Sequence, residues 1–382
     1  MTILIVSPTL NHGGAERVAS LWAKGFAELG HEVFFVANIE KEEAYSLDKK
    51  IHLLPLAYPE GNKVVRYIGA IKRLRGYYEK YHPDVIIGVM YACTLLAKMA
   101  ELGLDIPVIN TEHSAFEQPM EYPMSLTDRI SKYWLNYLYD GITVLTQVDH
   151  HLVGKRFKHV YVLPNPAFLK PLKKVPQKDR IVFAAGRLDA WQYKGFDLLI
   201  RAWANVVSSL NPQVSSEGWR LQIAGTGSKE SLEYLKQLSK ENGVEDTVDF
   251  LGFRTNIEEL YKQSEIFVLS SRYEGFGMVL VEAMSQGCAC VACDYKGRQR
   301  EIFEELKDGR MEELKNGSYE EYKNGILCPP DDVEALANAL GEMIKDEGYR
   351  HLAQENAIMR SQSFTLDKIT DRWFDIFEQL VH

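Results

Sequence analysis

Short apolar runs alternate with helix-length stretches along these 382 residues, and they do so in two separate series. The first series runs Ile3-Leu-Ile-Val-Ser7, His31-Glu-Val-Phe-Phe-Val-Ala37, Val85-Ile-Ile-Gly-Val89, Pro107-Val-Ile-Asn110, Ile142-Thr-Val-Leu145 and Val160-Tyr-Val-Leu163. The second runs Arg180–Gly186, Arg220–Gly225, Val248–Leu251, Ile266–Ser270 and Cys288–Cys293, with helical patterns near 195–210, 228–242, 255–263 and 278–287 between them. An apolar run of this length closed by turn residues reads as a buried strand. Strand and helix in strict alternation predict parallel sheets with helices on both faces. The chain is therefore expected to be α/β, with two Rossmann-like doubly wound domains facing a central cleft, where ligands usually bind. The predicted domains are 1–168 and 169–363, joined by a Pro- and Lys-rich linker from Pro164 to Lys178. The tail from Asp332 is helical in pattern, with Phe364, Trp373, Phe374 and Phe377 as anchors, and its last helix (364–382) is free to pack back on the first domain. Residues 301–323 read as a charged surface insertion.

Composition is that of a soluble globular chain, with 46% hydrophobic and 25% charged residues. Residues 1–170 carry 18 basic and 18 acidic side chains, so the whole net charge of −9 falls on the remainder. Such a balance argues against nucleic-acid binding. Cys288-Ala-Cys290-Val-Ala-Cys293 alternates through an apolar run without histidine partners, which favours buried thiols over zinc. The N-terminus lacks a charged leader, and no apolar run reaches the roughly 20 residues that span a bilayer. A cytoplasmic protein, peripheral on the inner membrane face at most, is expected.

Two turns carry candidate chemistry. Glu274-Gly-Phe-Gly-Met-Val-Leu-Val-Glu282 follows the Ile266 run and opens a helix, whose amides and positive end suit phosphate. Its two carboxylates suit ribose and sugar hydroxyls. Gly186-Arg187-Leu188 with Lys194-Gly195 places two cations near a strand end, as a departing pyrophosphate requires; two solvated surface cations are an equal reading of those residues alone. Asn11-His-Gly13-Gly14 ends the first strand without forming G-x-G-x-x-G, so the dinucleotide fingerprint is absent.

In order and spacing, Gly13-Gly14-Ala15-Glu16-Arg17, Gly186-Arg187-Leu188 with Lys194-Gly195, and Glu274-x7-Glu282 resemble the retaining GT-B glycosyltransferases called family 4 or group 1. The resemblance covers essentially the whole chain. It implies that Arg187 and Lys194 grip the donor diphosphate, Glu282 takes the ribose and Glu274 holds the sugar. Gly275 and the amides of Phe276, Gly277, Met278 and Val279 would complete the phosphate cradle, with Gly13 and Gly14 approaching from the other domain. His113, in Asn110-Thr-Glu-His-Ser114, matches the family histidine beside the donor sugar. The base is expected near Gly252-Phe-Arg254 and Thr226-Gly227, with UDP as the commonest donor nucleotide. No metal or other cofactor is implied, and no Asp-x-Asp stands at a strand end. His12, His150 and His151 have no such support, and Glu16 beside Arg17 is expected to be a first-turn coincidence.

The acceptor would be a saccharide or lipid-linked saccharide of envelope polysaccharide, lipopolysaccharide or capsule synthesis, bound by the first domain. Lys63 to Tyr81 carries six Lys/Arg against one Glu, with Val64, Ile68, Ile71, Leu74, Tyr78 and Tyr81 on one face. That pattern suits either a membrane-surface helix or an ordinary helix packed on its own sheet. One departure stands out: where the family has a Gly-Pro-x-Glu-like turn, this chain has Gly297-Arg-Gln-Arg-Glu301, so that Arg298 and Arg300 add charge near the cleft or balance the insertion. A sugar-nucleotide epimerase or hydrolase, and a non-catalytic GT-B subunit, are the competing readings.

Overall fold

The computed structural model describes all residues except 12, 40–46, 59, 119–123, 211–217, 307–316 and 382. It divides into one unit of Met1–Pro166 with Leu366–His382, and a second of Ala167–Thr365. His12 and the middle of the charged segment near 301–323 lie outside the described residues.

The first unit is built on β1 (Thr2–Val6), β2 (Glu32–Ala37), β3 (Ile51–Pro55), β4 (Val85–Val89), β5 (Val108–Thr111), β6 (Gly141–Val144) and β7 (Val160–Val162). They lie in the order β3-β2-β1-β4-β5-β6-β7, every described pairing parallel. The central strands are buried along their whole length, which is why they read as continuous apolar runs. β3 escaped the sequence reading. Ile-His-Leu-Leu-Pro at a sheet edge is short, holds a histidine and ends in proline, so its apolar signal is weak.

The second unit repeats the plan with β8 (Asp179–Ala185), β9 (Arg220–Ala224), β10 (Val248–Gly252), β11 (Ser264–Leu269), β12 (Ala289–Cys293), β13 (Glu320–Tyr322) and β14 (Gly325–Cys328), in the order β10-β9-β8-β11-β12-β14-β13. Only β13 runs antiparallel. The charged segment is thus partly structural: Glu320–Tyr322 closes the sheet edge, while Ile302 and Phe303 are buried.

The proline- and lysine-rich stretch is no free linker. Leu163, Asn165 and Ala167 are buried, and Leu172 N–H donates to Ser285 O at 2.9 Å. The Lys178 ammonium lies within 3.0–3.1 Å of four carbonyl oxygens, those of Tyr261, Lys262, Ser264 and Gln286. A cation answers the charge of several converging carbonyls at once. Composition alone cannot distinguish such a tether from a mobile spacer.

The helix Lys63–Tyr81 divides in two. Ala70, Leu74 and Tyr78 are buried against the first sheet, whereas Val64, Val65, Tyr67 and Ile68 stand exposed in its first turns. The sequence placed Val64 and Ile68 on the same apolar face as Leu74 and Tyr78, open to either a membrane or the sheet; only the later part of that face is buried, and Val64 and Ile68 stay exposed.

The helix Leu366–Leu380 packs on the helix Gly14–Glu28. Trp373 meets Trp22 edge-on at 5.1 Å and Phe26 at 6.1 Å, with Phe377 against both Phe26 and Trp373. Trp373→Ala should cost about 3–5 kcal/mol of first-unit stability, the range for a buried tryptophan, read by urea unfolding against a surface control such as Gln379→Ala.

Candidate active site

Each sheet reverses its order once, between β1 and β4 in the first unit and between β8 and β11 in the second. The two connections that follow such neighbouring strands leave in opposite directions, opening a crevice outside their carboxyl ends. Arg187 and Lys194 come after β8, and Glu274 to Glu282 after β11, so both candidate turns stand at the second unit's reversal point. In the first unit Gly13 and Gly14 follow β1, and His113 follows β5.

Contacts stitch the two turns of the second unit together. Gly195 has φ +64°, and a Cβ there would lie 1.9 Å from the carbonyl oxygen of Ser270, so only glycine fits. Ser270 Oγ donates to Lys194 O at 2.8 Å and Arg272 N–H to Tyr193 O at 2.8 Å. The Arg272 guanidinium binds both oxygens of Asp197 at 2.7 and 2.9 Å, Asp331 at 2.6 Å and the Gln192 carbonyl at 2.8 Å. Hydrogen bonding to Asp197 above all raises its pKa. Arg272 escaped the sequence reading because its partners Asp197 and Asp331 lie far from it in the chain and no local pattern joins them.

The result is a fixed pair of charges. Lys194 Nζ donates to Glu274 Oε2 at 2.7 Å, with Ser271 Oγ 3.4 Å from the same oxygen. Glu282 is buried in the helix Met278–Ser285. That helix begins at Gly277, with φ +94° and no side-chain cap. The helices Gly14–Glu28 and Met90–Glu101, after β1 and β4, also begin without one, whereas Asn62, Ser125, Thr146, Ser228, Asp332 and Asp346 cap theirs with side chains. Uncapped first-turn amides point outward as unsatisfied donors, the arrangement that receives an anion. The backbone of Gly275, Phe276, Met278 and Val279 lies in this turn, and the Phe276 ring is anchored against Phe364 at 5.6 Å.

Arg187 is exposed and has no ion-pair partner among the described residues. Arg254 is exposed after β10, and the Leu188 N–H donates to Thr226 O at 2.7 Å, bringing the β8 and β9 turns together. At the other end of the reversal, Arg298 corrects the sequence reading. It is fully buried with its guanidinium 5.2 Å from the Tyr295 ring, so it is no solvent-facing charge. Arg300 pairs with Asp294 at 3.4 Å and Glu320 at 3.1 Å, tying the turn to the edge strand. The thiols of Cys288, Cys290, Cys293 and Cys328 are buried in the sheet.

In the first unit, Gly13 precedes the helix with φ −99°, and the Glu16 carboxylate folds back beside it and accepts from Thr9 Oγ1 at 3.3 Å. A Cβ at Gly14 would meet nothing within 4 Å. His150 and His151 sit on the helix Gln147–Val153, where His151 Nδ1 lies 2.7 Å from the Gln147 carbonyl oxygen. A cavity of about 890 Å³ lies at the opposite, amino ends of β4 to β6, where Lys98 is paired with Glu101 and Asp140.

His113 lies within 3.0 Å of Thr111 Oγ1 through Nε2, and its ring stacks obliquely on Trp22 at 5.5 Å. Beneath it a buried polar network runs from Glu112 to Lys132 at 3.7 Å and through Asn110 to Asn136 and Thr94. Burial pushes the His113 pKa down to about 4, with the neighbouring Asn165 side chain opposing the shift. The folded ring is therefore neutral where the unfolded ring, titrating near 6.5, already takes a proton. Stability present above about 6.5 is lost as pH falls toward 4, by up to about 3 kcal/mol. Urea melts across that window should show a steeper loss for the native chain than for His113→Asn; equal slopes would contradict the assignment.

The model of the glycosyl transferases group 1 matches residues 168–360, and that of Glycosyltransferase Family 4 matches residues 12–167. An uncharacterized glycosyltransferase of Haemophilus influenzae is 27% identical, over 94% of this chain and 95% of its own length. A Campylobacter jejuni α-1,4-N-acetyl-D-galactosaminyltransferase, named for the saccharide-PP-undecaprenol it extends, is 25% identical over 100% of this chain and 99% of its own. The solved structure of Anabaena HepE in complex with UDP and glucose superposes with a TM-score of 0.74 at 19% identity, covering 100% of both chains. The chain belongs to the group 1, family 4 glycosyltransferases and has the GT-B fold.

Proposed function

We propose that this protein is a retaining, metal-independent glycosyltransferase that moves a hexose or N-acetylhexosamine from a UDP-sugar to a saccharide or lipid-linked saccharide. Its place would be the synthesis of envelope polysaccharide, lipopolysaccharide or capsule on the cytoplasmic face. The observation that carries this reading is the Lys194–Glu274 pair beside the uncapped helix at Gly277, with Glu282 buried one turn inside. Arg187, Lys194 and the amides from Phe276 to Val279 hold the diphosphate, Glu282 the ribose and Glu274 the sugar hydroxyls, with Arg254 toward the base. Cations and a helix end then take the part a divalent metal plays elsewhere. The bond from the sugar C1 to the phosphate oxygen breaks while the acceptor oxygen attaches to C1 on the same face. The acceptor's proton passes to that departing oxygen, so no side-chain nucleophile is needed. His113 serves as a neutral imidazole. The UDP in the HepE complex and the undecaprenol-linked substrate in the Campylobacter enzyme's name support this choice of donor and acceptor.

Glu274→Ala and Lys194→Ala should each lower turnover by about 100-fold or more, the scale for losing a transition-state charge partner, with unchanged circular dichroism. UDP-sugars should raise the melting temperature more than GDP- or ADP-sugars, EDTA should leave the rate unchanged, and proton NMR should show the donor's anomeric configuration in the product. Near-normal turnover in both variants, or an inverted product, would refute the reading.

A further inference from the structure

One ammonium holds the loop that carries His113 from both sides. Lys132, on the helix Leu126–Tyr133, is buried. Its Nζ donates to Ser114 Oγ at 2.9 Å and to Ala115 O at 2.8 Å. It also lies 3.7 Å from Glu112 Oε2 and 5.3 Å from the centre of the Phe116 ring. Every residue of Glu112–Phe116 except His113 itself therefore meets this one group.

Other buried groups fix the ends of the loop. The Glu112 N–H donates to Thr143 O at 3.1 Å, and the Phe116 N–H to Asp149 Oδ1 at 2.9 Å, with Asp149 held in turn by Thr146 Oγ1 at 2.8 Å. The second Glu112 oxygen accepts from Asn110 Nδ2 at 3.2 Å, and Asn136 Oδ1 accepts from the same amide at 2.9 Å. Asn136 Nδ2 then donates to Lys132 O at 2.9 Å. Lys132, Glu112, Asn110 and Asn136 thus close a ring of polar contacts.

Stability alone does not call for this arrangement. Taking a lysine and a glutamate out of water is costly, and apolar residues of the same volume often serve a core as well or better. What apolar side chains cannot do is bind a hydroxyl, a carbonyl and a carboxylate of one short loop at fixed distances. The His113 ring is set on Trp22 and beside Thr111 Oγ1, while its backbone is set through the neighbours that Lys132 holds.

We propose that Lys132, with Glu112 as its counter-charge, is a positioning residue for sugar transfer: it fixes Glu112–Phe116 so that the His113 imidazole stands where the donor sugar reacts. The proposal rests on the sugar-transfer reading, in which His113 serves that sugar. Lys132, only 4% exposed, acts through the loop and not on a substrate. A misplacement of about 1 Å can cost about 100-fold in rate, which sets the expected effect.

The test pairs a measurement on the loop with one on turnover. Lys132→Met with Glu112→Gln removes both charges at nearly constant volume and leaves no ion of the pair unpartnered. Hydrogen exchange of the full chain, read by mass spectrometry without substrate, should be about tenfold faster over Glu112–Phe116 and unchanged over Thr2–Val6. Turnover is followed as UDP release from UDP-glucose, UDP-galactose and their N-acetylamino forms. The kcat should fall about 100-fold, as it should in His113→Asn, with KM for the donor within about twofold. Adding His113→Asn to the double variant should cost little more, because both changes remove one effect. If the double variant fails to fold, Ser114→Ala, which deletes one acceptor of Lys132, carries the same comparison at about a tenfold loss. Unchanged exchange, a native kcat beside an impaired His113→Asn, or losses that add would each overturn the proposal alone. A native kcat in His113→Asn, or release of UDP from none of these donors, would overturn the UDP-sugar reading of His113 and the proposal with it.

Discussion

The contact of Gly195 with the Ser270 carbonyl sets the geometry of the candidate site. It brings the turn after β8 against the turn after β11 with no room for a side chain between them, and Arg272 closes the same seam with one guanidinium against two carboxylates and a carbonyl. Lys194 and Glu274, 80 residues apart in the chain, meet at 2.7 Å because of it. Loops that carry charged groups ordinarily move; here main-chain contacts hold them in place, which keeps the entropic cost of aligning two charges out of each binding event.

The first unit reaches a similar end by different means. Its candidate residue, His113, is placed by packing: the ring rests on Trp22, Trp22 on Trp373, and Trp373 belongs to the helix Leu366–Leu380. The neutral state of the imidazole is a consequence of that burial. Stability and site electrostatics are thereby linked, since what packs the C-terminal helix also keeps water from the ring.

Much of the architecture was legible because parallel strands buried on both faces leave uninterrupted apolar runs such as Ile266–Leu269 and Val85–Val89. What failed to read was of a particular kind. β3 and β13 lie on sheet edges, where one neighbour is missing and polar residues or proline are tolerated. Lys178 looked like a linker lysine because its four carbonyl partners come from strand ends and helix ends far away in sequence. Arg298 looked like added charge near the cleft, because a single sequence does not tell a buried guanidinium from a solvated one, whereas Arg300 does answer a carboxylate of the charged segment, Glu320.

Sequence by itself determined the alternation of strand and helix and the break into two series, and offered Arg187, Lys194, Glu274, Glu282 and His113 as candidates, because local periodicity and short motifs are properties of neighbouring residues. Tertiary structure alone decided which of these groups touch, which helix ends remain uncapped, where the last helix packs and which charges lie buried. Those outcomes depend on contacts between residues distant in the chain, and a side chain's burial is settled by what arrives from elsewhere to cover it.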